Sequence, residues 1–474
     1  MEKFHYINGE WTGQDLEKLE VNNPATGELV GTVPVGGKSE TKKAIDAAHQ
    51  AFPAWSSLTA YERSSYLKKL HGLMMDHEDE LAELMTLEMG KPLHESKGEV
   101  AYSASFVEWF AEEGKRVYGR TIPPHNKGRM MEVRKQPVGV VGAITPWNFP
   151  AAMIARKLAP ALAAGCTFVV KPPSATPLTA VRLVELCEEA GIPKGVVNLV
   201  TGKSSEVAGE LMSNPHVRKM TFTGSTEVGK KLMEQAAETV KNISLELGGH
   251  APIIVLDDAD IDKAVDGVIA SKFRNGGQTC ICGNRVYVQE KIYEEFISKF
   301  ADKTKELKVG NGLEKGTDIG PMIDKDGYEK VEKHVQNALS QGAECVVGGE
   351  GYEENGSYFY RPTILKDVTP GMLIMNEETF GPVAPIQKVK TDEEAIKYAN
   401  QTPFGLAAYV FSESVRRGNH VVNALDYGIV GWNDGVPSAA QAPFGGMKQS
   451  GIGREGGHEG IEAYLETKYV SIGL

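Results

Sequence analysis

The spacing of apolar residues alternates between two patterns from residue 136 to residue 237. Short, mostly apolar runs predict buried strands, and longer segments with apolar residues every three or four positions predict amphipathic helices. Strands that alternate with helices are typical of a parallel α/β sheet. We predict strands at 136–144, 166–171, 196–200 and 219–223, and helices at 151–164, 178–190, 205–212 and 225–237.

The chain before this sheet is predicted to form short strands first and helices afterwards. Turn signals such as Asn8-Gly9 lie within 6–33 and indicate short strands. Ser39 is predicted to cap a helix that Pro53 limits, and Gly90 is predicted to end a helical run that begins at residue 59. A further amphipathic helix is expected at 100–117, so a helical layer should pack on the sheet.

The second half continues the α/β pattern to about residue 425, and the tail 466–474 is predicted to be a strand. Acidic residues at 257–260 load a helix start with negative charge, which the helix dipole favours. The segment 116–135 is basic and irregular and includes Arg120. We predict that it protrudes as a ribbon, which is either a solvated loop or an oligomer contact.

Composition limits the class of protein. A chain of 474 residues is expected to form two or three domains, and its net charge of −12 disfavours non-specific nucleic-acid binding. The N-terminal residues lack the apolar core of a secretory signal, and no window approaches the roughly 20 apolar residues of a membrane helix. Five cysteines without a framework pattern indicate a reducing compartment, for which the cytoplasm is the simplest expectation. His and Cys are not clustered at ligand spacing, so no metal is expected.

One carboxylate and one thiol stand beside paired glycines within 242–285. Glu246 precedes Gly248-Gly249, and Cys280 follows a Gly-Gly-Gln-Thr turn. Glycine pairs allow backbone conformations that other residues avoid. A thiol can attack a substrate while a carboxylate activates the water that releases the product. Taken alone, Cys280 is more commonly a buried core residue and Glu246 a solvated surface residue. The two together, each beside a Gly-Gly turn, predict covalent catalysis.

Three strand ends of the predicted sheet carry groups suited to a ligand. Lys171 and Ser174 follow one strand, and Gly224-Ser225 joins another to a helix whose N–H groups can bind phosphate. Together they predict a dinucleotide crevice, although a plain capped helix explains Ser225 equally well. Asn148 stands between prolines and aromatic residues, where a rigid amide can stabilise an oxyanion or cap the next helix.

These motifs resemble the aldehyde dehydrogenase superfamily over nearly the whole chain. The similarity is carried by six segments in order, at 145–150, 222–229, 245–249, 277–280, 377–382 and 443–446. In detail the chain is most similar to succinate-semialdehyde dehydrogenases, through Ala155-Arg156-Lys157, Phe273-Arg274-Asn275 and Cys280-Ile281-Cys282. Gly283 and the segment 435–440 depart from the commoner sequences of that group, and 435–440 lines part of the substrate mouth.

The resemblance implies a Rossmann-type cofactor domain at 1–118 and 138–248, an α/β catalytic domain at 249–455, and a small β oligomerisation element at 119–137 and 456–474. It implies a homodimer or homotetramer that binds NADP or NAD. It further implies that Cys280 is the nucleophile, Glu246 the general base, and Asn148 an oxyanion donor with the Cys280 N–H. The residues that it places at the cofactor are Trp147, Lys171, Ser174, Gly224, Ser225, Leu247, Glu378 and Phe380.

The predicted substrate is an aldehyde with a carboxylate at its far end. Arg156 and Arg274 lie close in sequence to the catalytic groups, and arginine grips a carboxylate in bidentate fashion. Ser438 is a plausible third donor. Succinate semialdehyde is the simplest such substrate, and glutarate semialdehyde, aromatic and betaine-type aldehydes are the alternatives. A thiol esterase without redox chemistry and a non-catalytic protein on an enzyme fold are rival classes.

Overall fold

The computed structural model describes residues 1–474, and the first half of the chain builds one large sheet with helices on both faces. Its elements are β1 (His5–Ile7), β2 (Glu10–Thr12), β3 (Lys18–Asn22), β4 (Leu29–Pro34), α1 (Lys38–Ser56), α2 (Ala60–Asp76), α3 (Glu78–Met89), α4 (Leu93–Glu113), β5 (Arg120–Ile122), β6 (Arg129–Pro137), β7 (Val140–Ile144), α5 (Ala152–Ala164), β8 (Thr167–Lys171), α6 (Leu178–Glu189), β9 (Val197–Leu199), α7 (Ser204–Ser213), β10 (Val217–Thr223), α8 (Thr226–Ala236) and β11 (Asn242–Glu246).

The strand order places a ligand-binding edge at the centre of this sheet. Strands β9, β8, β7, β10 and β11 are parallel neighbours in that order, so the chain progresses in opposite directions on the two sides of β7. Ile144 pairs with Lys171 and Thr223 pairs with Glu246, so the strands end along one edge. Parallel sheets bind ligands outside the carboxyl ends of strands where the order reverses. The predicted α/β alternation is therefore confirmed.

Alternating side chains of β8 explain why helices cover both faces. Phe168 and Val170 pack with α2, α4, α5 and α6, and Val169 packs with α1 and α7. A strand buried on both faces favours apolar residues at successive positions, here 168–170, and this run is the pattern that predicted it.

The boundaries of three predicted helical segments were wrong. The helix α1 is capped at Gly37 rather than Ser39 and continues through Pro53, because the buried Trp55 anchors its last turn in the core. The helical run from residue 59 to Gly90 is broken at His77 into α2 and α3. The helix expected at 100–117 begins earlier, at Leu93, and ends at Glu113.

The second half forms a seven-stranded sheet in the order β14-β17-β18-β13-β12-β20-β21, parallel except for β14. The elements are β12 (Ala251–Val255), α9 (Ile261–Lys272), β13 (Gly283–Gln289), α10 (Tyr293–Lys305), α11 (Lys325–Ser340), β14 (Glu344–Val347), β15 (Gly351–Glu354), β16 (Ser357–Tyr360), β17 (Thr363–Lys366), β18 (Val383–Val389), α12 (Asp392–Asn400), β19 (Phe404–Gly405), β20 (Ala407–Phe411), α13 (Val415–Ala424), β21 (Ile429–Trp432), β22 (Met447–Lys448), β23 (Gly451–Ile452), α14 (Glu459–Glu462) and β24 (Leu465–Gly473).

The predicted ribbon is a three-stranded antiparallel sheet. Strand β6 pairs with β5 and, along its whole length, with the C-terminal strand β24, from Leu465 opposite Pro137 to Gly473 opposite Arg129. Exposed apolar residues such as Met130 and Tyr469 lie on it. The strand character of the tail is confirmed, and the contact with a partner subunit stays a prediction. None of the helices is long and apolar enough to cross a membrane.

Candidate active site

The carboxyl edge of the first sheet and the loop before β13 enclose a cavity of about 350 Å³, which we call the main cavity. The second sheet contributes the segment that carries Glu378 and the start of α11. The residues predicted from sequence that line it are Trp147, Asn148, Gly224, Ser225, Leu247, Cys280, Glu378 and Phe380.

Two predicted cofactor residues lie outside the walls of this cavity. Lys171 ends β8 and is buried, and its Nζ donates to Ser204 Oγ at 2.8 Å. Burial lowers the pKa of Lys171 to about 8. Ser174 is exposed three residues further on. Ser225 does line the cavity, but its Oγ also accepts a hydrogen bond from Val228 N at 3.3 Å. Ser225 therefore caps α8, which is the alternative to phosphate binding that the sequence left open.

Backbone geometry presents Cys280 to the cavity. The turn before it has positive φ at Asn275, Gly276 and Gly277. A Cβ at Gly277 would lie 2.2 Å from the carbonyl oxygen of Gly381, so only glycine fits there. Cys280 is half-buried and reaches the cavity, whereas Cys282 is fully buried and its Sγ lies 3.6 Å from Lys272 Nζ. This difference favours Cys280 as the accessible thiol.

The Cys280 thiol is removed from water and lies near charged groups of both signs. Burial raises the pKa of its thiol to about 12, and the Arg156 guanidinium acts in the opposite direction. A thiolate is the reactive form, so the site must gain positive charge or transfer the thiol proton before attack.

Glu246 ends β11 and is buried behind the cavity wall, with no hydrogen-bond partner for Oε2. A Cβ at Gly445 would lie 2.7 Å from Glu246 Oε1, so glycine keeps room for this carboxyl. Burial raises the pKa of Glu246 well above its ordinary value, and the carboxylate of Glu455 raises it further. A carboxyl group with a raised pKa is suited to accept a proton as a general base.

Glu455 balances two buried cations beside Glu246. Its Oε2 lies 2.8 Å from Arg156 Nε, and its Oε1 pairs with Lys157 Nζ. Burial opposes ionisation, but Lys157 and Arg156 overcome it and hold the pKa of Glu455 below its ordinary value. Two buried cations therefore favour the charged form of Glu455, whereas burial disfavours the charged form of Glu246.

Asn148 is buried, lines the main cavity together with Cys280, and belongs to the loop after β7. Its Nδ2 donates to the carbonyl oxygen of Gln278 at 3.0 Å, two residues before Cys280. The cap residue of α5 is Ala151, so the helix-capping alternative for Asn148 is not what the structure shows. A fixed amide donor beside a nucleophile is the arrangement that an oxyanion requires.

The far side of the main cavity fits a nicotinamide nucleotide. Glu378 Oε1 accepts a hydrogen bond from Gly249 N at 3.2 Å, and burial raises the pKa of the Glu378 carboxyl to about 7. A Cβ at Gly248 would approach Glu378 Oε2 to 3.2 Å. Trp147 and Phe380 meet edge to face with 5.6 Å between ring centres. A carboxyl for ribose hydroxyls beside aromatic rings suits such a ligand.

A second, smaller cavity of about 20 Å³, the arginine cavity, contains all three predicted substrate residues, Arg156, Arg274 and Ser438. Thr279 and Ile281 also line it, so it reaches the chain on both sides of Cys280. The remaining lining residues are Tyr102, Phe149, Ala152, Met153 and Phe444.

The two arginines differ in how their charge is balanced. Arg156 pairs with Glu455 and stacks over the Phe444 ring, with 4.2 Å between guanidinium carbon and ring centre. Arg274 lies 5.0 Å from the ring centre of Phe149 and makes no ion pair or hydrogen bond within the chain. Of the pair predicted to bind an anion, Arg274 is therefore the cation without a direct ion pair.

Several lining residues were missed in the sequence. Tyr102, whose hydroxyl bonds to Ser438 Oγ, looked like one apolar position of a helix. Lys330, on the first turns of α11, lines the main cavity with residues 322–324, 326 and 327, and nothing local distinguished it from a solvated helix face. Glu455 follows the last recognised motif by nine residues. Only long-range packing brings these side chains to the site.

The fold and this pair of cavities define a two-substrate enzyme. The chain belongs to the aldehyde dehydrogenase family, which it matches over residues 11–470. The family resemblance and the fold class predicted from the motifs are thereby confirmed.

Individual relatives resemble the chain over its whole length. It is 56% identical to the NADP-dependent succinate-semialdehyde dehydrogenase of Escherichia coli K12, over 99% of this chain and 97% of that protein. It is 55% identical to a glutarate-semialdehyde dehydrogenase of Pseudomonas putida KT2440, with the same shares covered. The crystal structure of succinate-semialdehyde dehydrogenase from Burkholderia pseudomallei superposes with a TM-score of 0.98 at 51% identity, covering 100% of this chain and 98% of that one.

Proposed function

We propose that this protein oxidises succinate semialdehyde to succinate with NADP or NAD. The observation that carries the proposal is the Arg274 guanidinium, which has no direct ion pair, in a cavity that reaches both neighbours of Cys280. An aldehyde bound by a carboxylate at its far end would present its carbonyl carbon to the thiol. Glutarate semialdehyde, one carbon longer, is the second candidate, favoured by the similarity to the enzyme from P. putida.

Each of the proposed site residues has one role in the reaction. Cys280 Sγ attacks the aldehyde carbon, and Asn148 Nδ2 and the Cys280 N–H stabilise the resulting oxyanion. When bound, the nicotinamide takes up the hydride that the substrate carbon loses. Glu246 then removes a proton from the water that hydrolyses the thioester on Cys280, which releases the acid and restores the thiol. Arg156, Arg274 and Ser438 hold the far carboxylate throughout.

The cofactor is held, in this proposal, by groups on both sheets. Trp147, Gly224, Ser225 and Leu247 come from the first sheet, and Glu378 binds the nicotinamide ribose while Phe380 packs near the ring. Lys171 and Ser174 lie further along the carboxyl edge, where they would meet the adenosine ribose. The first sheet unit (1–118 and 138–248) is then the cofactor domain and 249–455 the catalytic domain. The segments 119–137 and 456–474 are the oligomerisation element of a homodimer or homotetramer.

A substrate panel tests the proposal directly. NADPH or NADH formation is followed by absorbance with succinate semialdehyde, glutarate semialdehyde, benzaldehyde, betaine aldehyde and butanal, each with both cofactors. We expect the highest kcat/KM with succinate semialdehyde. Ester hydrolysis without any NAD(P)H formation would instead favour a thiol esterase. The absence of any turnover would favour a non-catalytic protein on an enzyme fold.

Replacing Arg274 should discriminate the anion clamp from a general aldehyde site. Charge-assisted hydrogen bonds are worth about 1.5–3 kcal/mol each, so Arg274→Ala should lower kcat/KM for succinate semialdehyde about tenfold to a hundredfold. Butanal has no carboxylate and should lose little. Arg274→Lys should restore only part of the loss, because the ammonium cannot bind in bidentate fashion.

Arg361→Ala, at an exposed arginine far from the site, provides the matched control and should behave as the unmodified protein. An equal loss for both aldehydes in Arg274→Ala would mean that this arginine supports structure rather than the substrate carboxylate.

Cofactor preference should depend on position 174. A serine can donate a hydrogen bond to a 2′-phosphate, whereas a carboxylate there would repel it. We expect Ser174→Asp to lower kcat/KM for NADP about tenfold to a hundredfold while that for NAD changes little. Steady-state kinetics with both cofactors checks this, with Ser174→Ala as the neutral comparison. An unaltered ratio in both variants would place the determinant elsewhere.

A further inference from the structure

One buried amide joins the loop of Asn148 to the turn that leads to Cys280. Asn275 Nδ2 donates to the carbonyl oxygen of Asn148 at 3.1 Å and to the carbonyl oxygen of Gln278 at 3.2 Å. Asn275 is only 2% exposed. These two segments are far apart in sequence, so a single side chain fixes their separation in space.

The chemistry of its neighbours fixes the orientation of this amide. Asn275 Oδ1 has no hydrogen-bond partner, and both accepting atoms are carbonyl oxygens. Reversing the amide would place Oδ1 against those two oxygens and lose both bonds, so the NH₂ group must face them. The Gln278 carbonyl also accepts from Asn148 Nδ2 at 3.0 Å, so one oxygen gathers the donors of both asparagines.

The backbone of Asn275 is equally specific. Its φ of +52° lies in the left-handed region, which asparagine tolerates better than most residues other than glycine. Its N–H donates to Glu95 Oε2 at 2.8 Å, which anchors the turn to α4. The backbone conformation of Asn275 and its hydrogen bond to Glu95 therefore fix the position from which the Asn275 side chain extends.

The other hydrogen bonds that hold the Asn148 loop do not involve the turn that carries Cys280. Lys91 Nζ donates to the same Asn148 carbonyl at 2.8 Å and pairs with Glu99, whose Oε1 accepts from Ala151 N at 2.9 Å. All of these contacts tie the loop to α4 and its flanks. Apart from the amide of Asn148 itself, Asn275 is the side chain that connects the loop to the peptide of Gln278, two residues before Cys280.

We propose that Asn275 is a positioning residue that sets the distance between the Asn148 amide and Cys280 Sγ. The inference rests on the proposed function, because it requires an oxyanion that forms at Cys280. Stabilisation of such an oxyanion depends on donors placed before the reaction, and a misplacement of about 1 Å can cost on the order of a hundredfold in rate.

Two variants test this role. Asn275→Gly preserves the positive φ and removes the amide, and Asn275→Asp keeps the shape but loses the donors. Each is assayed for aldehyde oxidation and for hydrolysis of 4-nitrophenyl acetate, which also passes through an oxyanion on Cys280. Rates are divided by the number of thiols titrated with iodoacetamide. The matched control is Asn355→Gly, at an exposed hairpin asparagine with the same φ of +52°.

We expect both rates per titrated thiol to fall about tenfold to a hundredfold in both Asn275 variants, with NADP dissociation constants and KM for the aldehyde unchanged. Asn355→Gly should match the unmodified protein. A purely structural role would lower the melting temperature and expose buried thiols such as Cys166 and Cys187 to iodoacetamide, and a rise in titratable thiols that accounts for the whole loss of rate would overturn the proposal. If the unmodified protein hydrolyses the ester but oxidises no aldehyde, the proposed function fails while the ester rates still decide the role of Asn275.

Discussion

Cys280→Ala is expected to abolish aldehyde oxidation, with a loss on the order of 10⁴-fold or more, because no covalent intermediate can form. NADP binding should survive, since the thiol is one small part of the wall of the main cavity. Steady-state NADPH formation and fluorescence titration with NADP measure the two properties separately.

Cys282→Ala is the matched control for this prediction. The Cys282 thiol is fully buried and bonds to the Gly277 carbonyl oxygen and Lys272, so it cannot reach a substrate in the cavity. Its removal should lower stability modestly and leave kcat within a few-fold. Retained turnover in Cys280→Ala together with its loss in Cys282→Ala would reverse the assignment.

Glu246→Gln is expected to lower the steady-state rate about 10²- to 10⁴-fold, the range attributed to general acid–base groups. If Glu246 activates the hydrolytic water, the variant should still form the thioester on Cys280. Rapid mixing should then show a burst of NADPH equal to the concentration of active sites, followed by slow turnover. A variant without a burst would place Glu246 before hydride loss instead.

The same substitution should stabilise the protein at neutral and alkaline pH. The folded-state pKa of Glu246 lies well above the ordinary 4.5 because the group is buried beside Glu455. Above pH 4.5 the unfolded chain releases this proton first, so the folded state binds more protons and stability falls as pH rises toward the folded pKa. Glutamine does not ionise. The melting temperature of Glu246→Gln should therefore exceed that of the unmodified protein by a margin that grows from mildly acidic to alkaline pH. The rate of thioester hydrolysis on Cys280, in contrast, should show a pH-dependent rise from Glu246 ionisation only in the protein that retains Glu246.

The parts of the fold that were predictable are those where local pattern and burial agree. Strand β8 has an apolar interior at 168–170 because both of its faces are covered, and that run predicts a strand there. Pro53 is the opposite case, since a local rule ended the helix while the packing of Trp55 extended it. The pairing of β6 with β24 joins residues more than 300 apart, and no local pattern encodes that register.

The candidate site divides in the same way. Cys280 and Asn148 were predicted because glycines and prolines around them shape the backbone locally. Glu455 and Tyr102 occupy unremarkable positions in the sequence, and only tertiary packing brings them beside Arg156 and Ser438. The sequence also could not distinguish the paired Arg156 from Arg274, which has no direct ion pair, because Glu455 lies about 300 residues from its partner.

The identity of the covalent intermediate tests the account most directly. The Glu246→Gln protein is mixed with NADP and succinate semialdehyde, quenched in acid, digested and analysed by mass spectrometry. The account predicts one succinyl group on the peptide that contains residue 280, located on Cys280 by fragmentation and absent when NADP is omitted. An unmodified peptide after NADPH has formed, or a succinyl group on Cys282, would contradict it.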